Sequence, residues 1–285
     1  MKLVLKSNNS TEALSSYLKK FTKLRKSLLL EIDPFEQKFV AKSFSEDHSV
    51  VRYSALTFSD ANFEVVSCDE MSYKQRIKLG MTVNLDKFIK IIDRFDSNYN
   101  LSFSFQQVNL PDGTVDYHCD NVYFDSNVLK MKVNGSKITD FQHLTDEVFN
   151  TKVFNVNSPV NIPATSDTIQ NVLKTADIVS VDIKKDSLVF FTRNSSLFVK
   201  DYTGLDGNGN EKEPNFEYCI LTDANVITYD FRLPISRERI VQVLTDSKED
   251  YTIIVGKDAN EEVSRIMFSS NNSDTKIVVS RLNDI

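Results

Sequence analysis

The sequence has no tryptophan and, in 285 residues, only seven glycines, six prolines, three cysteines and three histidines. The glycines build neither a GxGxxG nor a GxxxxGK[ST] loop, which excludes the usual phosphate-cradling turns of dinucleotide and nucleotide enzymes. Cys68, Cys119 and Cys219 are far apart and odd in number. They form no CxxC pair, so neither a zinc module nor a disulfide framework is expected, and buried free thiols in a reducing compartment are. His48, His118 and His143 belong to no HExxH or H-x-E…PCxxC pattern, and no GxSxG occurs. No catalytic residue, metal ligand or cofactor site is therefore nominated. No apolar run approaches the length of a bilayer span. The opening Met1–Lys6 meets serine and asparagine at once, unlike a signal-peptide core. A cytoplasmic protein without a membrane partner is expected.

What is present is mostly period-two alternation. Leu101–Phe105, Val128–Val133 and Lys276–Ser280 read as strands, separated by turn signals at Pro111–Gly113, Asn134–Gly135 and Ser269–Asp274. Four segments switch to helical spacing. Around Thr11–Lys23, Leu14, Tyr17, Leu18, Phe21 and Leu24 form an apolar stripe, with Ser10 or Thr11 as the cap. Around Asp86–Phe95 the stripe is Phe88, Ile91, Ile92 and Phe95. Around Ser166–Ala176 it is Ile169, Val172, Leu173 and Ala176, and around Ser236–Thr245 it is Ile240, Val243 and Leu244. Asp86, Thr165 or Ser166, and Ser236 are the candidate caps.

The two halves share an order of elements. In each, one helix near the start is followed by a second about 70–75 residues later, entered from a short apolar segment and left into a strand. Val83–Leu85 before the second helix matches Leu233–Ile235 before the fourth. The expectation is an α+β chain of two similar domains, each a mostly antiparallel sheet with two helices. Residues 1–145 form the first domain, 146–160 a connector and 161–285 the second. Gly204–Pro214 reads as an exposed loop.

Charge is distributed unevenly. The net charge is −6 with an isoelectric point near 5.2, which argues against a protein that coats nucleic acid with its whole surface. Yet Thr11–Ser27, Asn84–Phe95, Ser166–Ala176 and Ser236–Thr245 together hold 11 basic and 5 acidic residues, leaving −12 on the rest of the chain. Lys19, Lys23 and Lys26 fall opposite the apolar stripe of the first helix, with Lys20 at its margin. Lys87, Lys90 and Arg94 share the polar face of the second. Lys174 points outward on the third, as does Arg239 on the fourth, with Arg237 nearer the flank. Cations on the polar face of an amphipathic helix also serve simple solvation. The excess over four helices in an acidic chain favours a phosphate-facing surface.

In size, domain count, element order and charge placement the chain resembles the DNA sliding clamps, above all the trimeric clamps of T-even phages and the proliferating cell nuclear antigen. The bacterial beta clamp has three domains and needs a longer chain. The resemblance spans nearly the whole sequence and carries no catalytic motif. It implies a homotrimeric ring around double-stranded DNA, with the helices on the inner face. It implies tethering of a replicative DNA polymerase, opening by a clamp loader, and subunits joined by edge strands, in the cytoplasm of a phage-infected bacterial host. Lys19, Lys20, Lys23, Lys26, Lys87, Lys90, Arg94, Lys174, Arg237 and Arg239 are then the DNA-facing set. Partner proteins of that family insert an apolar peptide beside the connector, where this chain has Phe141, Leu144, Val148 and Phe149; the same side chains could instead pack the domain join.

Two other readings stay open: a monomeric DNA-binding processivity factor of the same fold, and a sheet-rich phage structural or assembly protein. Asp206, Asn208, Asn210 and Glu217 match the oxygen spacing of a calcium loop. Glu211 stands where that loop needs glycine and Pro214 interrupts it, so an acidic surface turn is expected.

Overall fold

The computed structural model describes all residues except 9–11, 25–27, 70–74, 83–84, 96–97, 112, 145, 180–185, 223–226, 246–247, 259 and 283–285. The chain forms two compact units. One holds Met1–Glu46 and Arg52–Phe149, the other Asp47–Val51 and Asn150–Ile285.

The first unit contains β1 (Lys2–Ser7), α1 (Glu12–Thr22), β2 (Leu28–Asp33), β3 (Lys38–Phe44) and most of β4 (Val50–Thr57). It continues with β5 (Phe63–Cys68), β6 (Ile77–Met81), α2 (Leu85–Ile92), β7 (Asn100–Asn109), β8 (Val115–Asp125) and β9 (Lys130–Asn134). A 3-10 turn (Ile138–Leu144) and the single turn α3 (Asp146–Val148) close it. The second holds β10 (Asn157–Ala164), α4 (Ser166–Val179), β11 (Ser187–Arg193), β12 (Ser196–Asp201) and β13 (Glu217–Leu221). Then come β14 (Arg232–Ser236), α5 (Arg237–Leu244), β15 (Tyr251–Lys257), β16 (Val263–Ser270) and β17 (Thr275–Ser280).

The internal repeat is visible in strand pairing. β1 pairs antiparallel with β7, β7 with β8, and β8 with β9. β10 pairs with β15, β15 with β16, and β16 with β17 in the same sense. β2 joins β3 and β6 as β11 joins β12 and β14. The first unit adds β5 on the outer side of β1 and a short parallel contact of β6 with β8 at Ile77 and Tyr117.

Alternation along β2 separates two faces. Leu28, Leu30 and Ile32 join the core with Leu14, Leu18, Phe21, Phe88 and Ile92 from α1 and α2. Glu31 and Asp33 therefore lie on the opposite face. The Tyr17 hydroxyl, buried with that core, donates to the Ser54 carbonyl at 2.6 Å. In the second unit, Ser236 caps α5, its hydroxyl accepting from the Arg239 amide at 3.4 Å. Thr165 caps α4 by accepting from Thr168 N at 3.2 Å. Asp86 lies within α2 rather than capping it, and the proposed Ser10 or Thr11 cap lies outside the described residues. Val128 and Leu129, read as strand, instead form the β8–β9 turn, where the Ser126 amide donates to the Leu129 carbonyl at 2.9 Å.

Candidate nucleic-acid interface

In the first unit α1 and α2 lie against each other, each burying its apolar stripe and leaving its cations outside. Lys19, Lys20 and Lys23 are exposed on α1 and just beyond it; Lys26 lies outside the described residues. Lys87, Lys90 and Arg94 are exposed on or directly after α2. Their spacing of three and four puts them on one stripe. With Asp86, Ile91 and Met131 they line an open concavity of about 470 Å³. No ion pair joins these three cations to another described residue.

Lys19 is different. Its ammonium sits 3.0 Å from Asp93 Oδ2, and the Ser15 hydroxyl donates to Asp93 Oδ1 at 2.5 Å. The Ser15 hydrogen bond, reinforced by Lys19, holds the Asp93 carboxyl below its ordinary pKa. This cation therefore ties two helices together as well as presenting charge.

The second unit presents less positive charge. Lys174 is exposed on α4, which also carries Asp167 and Asp177. Arg239 is half-buried and forks onto Asp47 Oδ2 at 2.9 and 3.2 Å. Arg237 corrects the sequence reading: it is only 2% exposed, with contacts of 3.0 Å to Asp177 and 3.5 Å to Asp186. It opens the first turn of α5, where the chain turns inward from β14, so its guanidinium braces the ends of α4 and α5 and is no DNA contact.

The connector set is corrected as well. Phe141, Leu144 and Phe149 are buried in the first unit, and only Val148 is half-exposed. Phe141 lies on β6 at Gly80, where an added Cβ would stand 2.5 Å from the ring. Phe149 meets Phe44 and Tyr53 edge-on or tilted at 5.8 and 6.2 Å between centroids. These three side chains pack the segment down onto the first unit.

Beneath it lies a buried charge cluster that the sequence reading missed. Lys42, fully buried, donates to Glu31 Oε1 at 2.8 Å and Asp146 Oδ1 at 2.6 Å. Arg76 donates to Glu31 Oε2 at 2.9 Å, Asp146 Oδ2 at 3.0 Å and Asp33 Oδ2 at 3.1 Å. Burial acts to raise the Asp146 pKa, but Lys42 and Arg76 outweigh it and hold the carboxyl below its usual range. The one available signal was Lys42 following directly on the apolar run Phe39–Ala41 of β3.

Asp206 lies in an exposed turn. Its carboxylate accepts from the Asn208 and Asn210 amides at 2.8 and 2.9 Å, while Glu211 pairs with Lys200 and Arg232. No cluster of three or more metal-ligating side chains occurs among the described residues. Of the cysteines, Cys119 is buried, its thiol pushed up to about 12 chiefly by burial, Cys219 is half-buried, and Cys68 is exposed against expectation. None of the described helices is long and apolar enough to cross a membrane.

Two repeated units of antiparallel sheet, each with a helix pair and strands paired in the same order, define the DNA clamp fold. Comparison with solved structures gives the same class. PCNA from Thermococcus kodakaraensis is matched over 99% of this chain and 100% of its own, at 12% identity and a TM-score of 0.57. The DNA polymerase sliding clamp of Pseudomonas aeruginosa is matched over the whole chain and 65% of its own, at 10% identity and a TM-score of 0.62. The Helicobacter pylori beta clamp bound to a DNA ligase peptide is matched over the whole chain and 67% of its own, at 13% identity and a TM-score of 0.58. No family model matches the sequence, and no curated protein does. The chain thus resembles the DNA sliding clamps in fold.

Proposed function

We propose that this chain is the subunit of a DNA sliding clamp, a non-catalytic homotrimeric ring that encircles duplex DNA and tethers a replicative polymerase after placement by a clamp loader. The observation that carries this reading is the internal repeat of strand pairing combined with the exposed cation stripe of α2. Residues 1–145 and 161–285 act as the two clamp domains, joined through 146–160. A phage origin and a bacterial host cytoplasm go with the resemblance.

The repeat suggests how copies join. In the repeat β9 is the counterpart of β17, and β13 of β4. Both β9 and β13 have a partner on one side only among the described strands. Pairing β9 of one copy with β13 of the next uses two different patches, which is the head-to-tail contact that closes rings.

Cations meeting phosphates give sequence-independent attraction, whereas base-reading contacts, each worth about 1–3 kcal/mol of discrimination, would pin a sliding ring. The test is a competition binding assay on duplexes of unrelated sequence across a salt series. Weak binding that is equal for all sequences and fades with salt is expected. A strong preference for one sequence would rule out a sliding role. A stable monomer that binds DNA tightly would favour the monomeric processivity factor.

A further inference from the structure

The charge cluster under the connector is poorly explained as a stabilising device. Replacing buried ion pairs by well-packed apolar groups is often neutral or stabilising, because desolvation offsets the attraction. Its composition suggests another use. On the sheet itself, Lys42 and Arg76 face Glu31 and Asp33, two cations against two carboxylates, joined at 2.8–3.1 Å. Asp33 also accepts from the Phe35 and Glu36 amides. The next cation, Lys78, is satisfied by Asp116, which also meets His118. The sheet face is thus charge-balanced before the connector arrives. Asp146 adds a fifth group, a carboxylate whose side chain is still 54% exposed, with one oxygen on each cation.

We propose that Asp146 is the catch of a reversible latch: Ile138–Leu144 and Asp146–Phe149 form a strap that can lift from β2, β3 and β6. Lifting breaks the two Asp146 contacts and admits water to a seat that remains internally paired. Removing one partner of an ordinary buried pair strands an unpaired charge; withdrawing Asp146 strands none. Opening also frees Phe141, Leu144 and Phe149, the apolar side chains that clamp the strap to Gly80, Phe44 and Tyr53. That these would then receive a partner peptide rests on the sliding-clamp reading. The latch itself does not.

Hydrogen exchange of the full chain, read by mass spectrometry, tests it in wild type, Asp146→Asn, Asp140→Asn and Glu31→Gln. In Asp146→Asn, amides of 138–149 should exchange at least about tenfold faster, since contacts between charged groups are lost, while β2, β3 and β6 keep their protection. Asp140→Asn, on the same strap but outside the cluster, should match wild type. Glu31→Gln unbalances the seat and should lower the urea midpoint of the whole first unit. Strap exchange within twofold of wild type in Asp146→Asn would overturn the proposal. So would strap and strands accelerating together, or failure of Asp146→Asn to fold, because the seat would then depend on Asp146. A non-clamp function established elsewhere would leave these exchange results standing.

Discussion

Asp93 accepts from Ser15 at 2.5 Å and pairs with the Lys19 ammonium at 3.0 Å, so one carboxylate at the end of α2 ties down α1. The two helices whose outer faces carry the exposed cations of the first unit are therefore fixed to each other on the solvent side as well as through their apolar stripes.

The tie has a pH signature. Asp93 is depressed first by Ser15 and then by Lys19, so its folded pKa lies below its unfolded one. Its contribution to stability is present above the unfolded carboxylate pKa and is lost as pH falls through the folded value. Ser15→Ala and Lys19→Ala should each move the Asp93 carboxyl upward, toward the ordinary range. A carbon-detected NMR titration of Asp93 measures both.

Lys87, Lys90 and Arg94 form the cleaner DNA test. They are exposed and make no ion pair with a described residue, so reversing all three to Glu removes no core packing. Stability should change by about 0.5 kcal/mol or less per site, while DNA affinity at low salt collapses and the salt slope flattens. Thermal melting beside fluorescence anisotropy checks the two together. Lys19→Glu is less clean, since it sets a carboxylate against Asp93.

Gly80 and Phe141 are coupled by the close approach of the ring to the position of the missing Cβ. Gly80→Ala alone forces the ring aside. Phe141→Ala alone empties a buried site, at about 3–5 kcal/mol. Together they should cost less than the sum, because the alanine methyl enters space the ring has left. A double-mutant cycle by urea unfolding reads the interaction.

The same physics shows what the sequence could and could not reveal. Leu14, Leu18 and Phe21, or Ile240, Val243 and Leu244, announce helices because period and burial coincide. The charged positions were legible only where burial followed the polar face. Arg237 and Lys42 broke that rule: their partners, Asp177, Asp186, Glu31 and Asp146, come from other elements, and no local spacing shows that they converge. Phe141 and Phe149 looked equally fit to line a groove or to pack, and their packing partners Gly80 and Phe44 lie far off in the chain. Val128 continued the alternation of β9 into a turn, where its side chain is 95% exposed.

Arg237→Ala and Lys174→Ala separate the structural cation from the one proposed to face DNA. The first should destabilise the second unit by up to the roughly 3–5 kcal/mol typical of a broken buried pair, less because Asp177 is 80% exposed. The second should leave melting unchanged and weaken DNA binding slightly. Calorimetry and anisotropy on the two variants make the comparison.

Ring formation is tested most directly by the molar mass of the purified chain in solution, by light scattering or sedimentation equilibrium at micromolar concentration. Three times the 32.6-kDa chain mass is expected, invariant over a range of concentration as a closed head-to-tail ring requires. A stable species of one chain mass, or a mass that keeps growing with concentration, would contradict the sliding-clamp account.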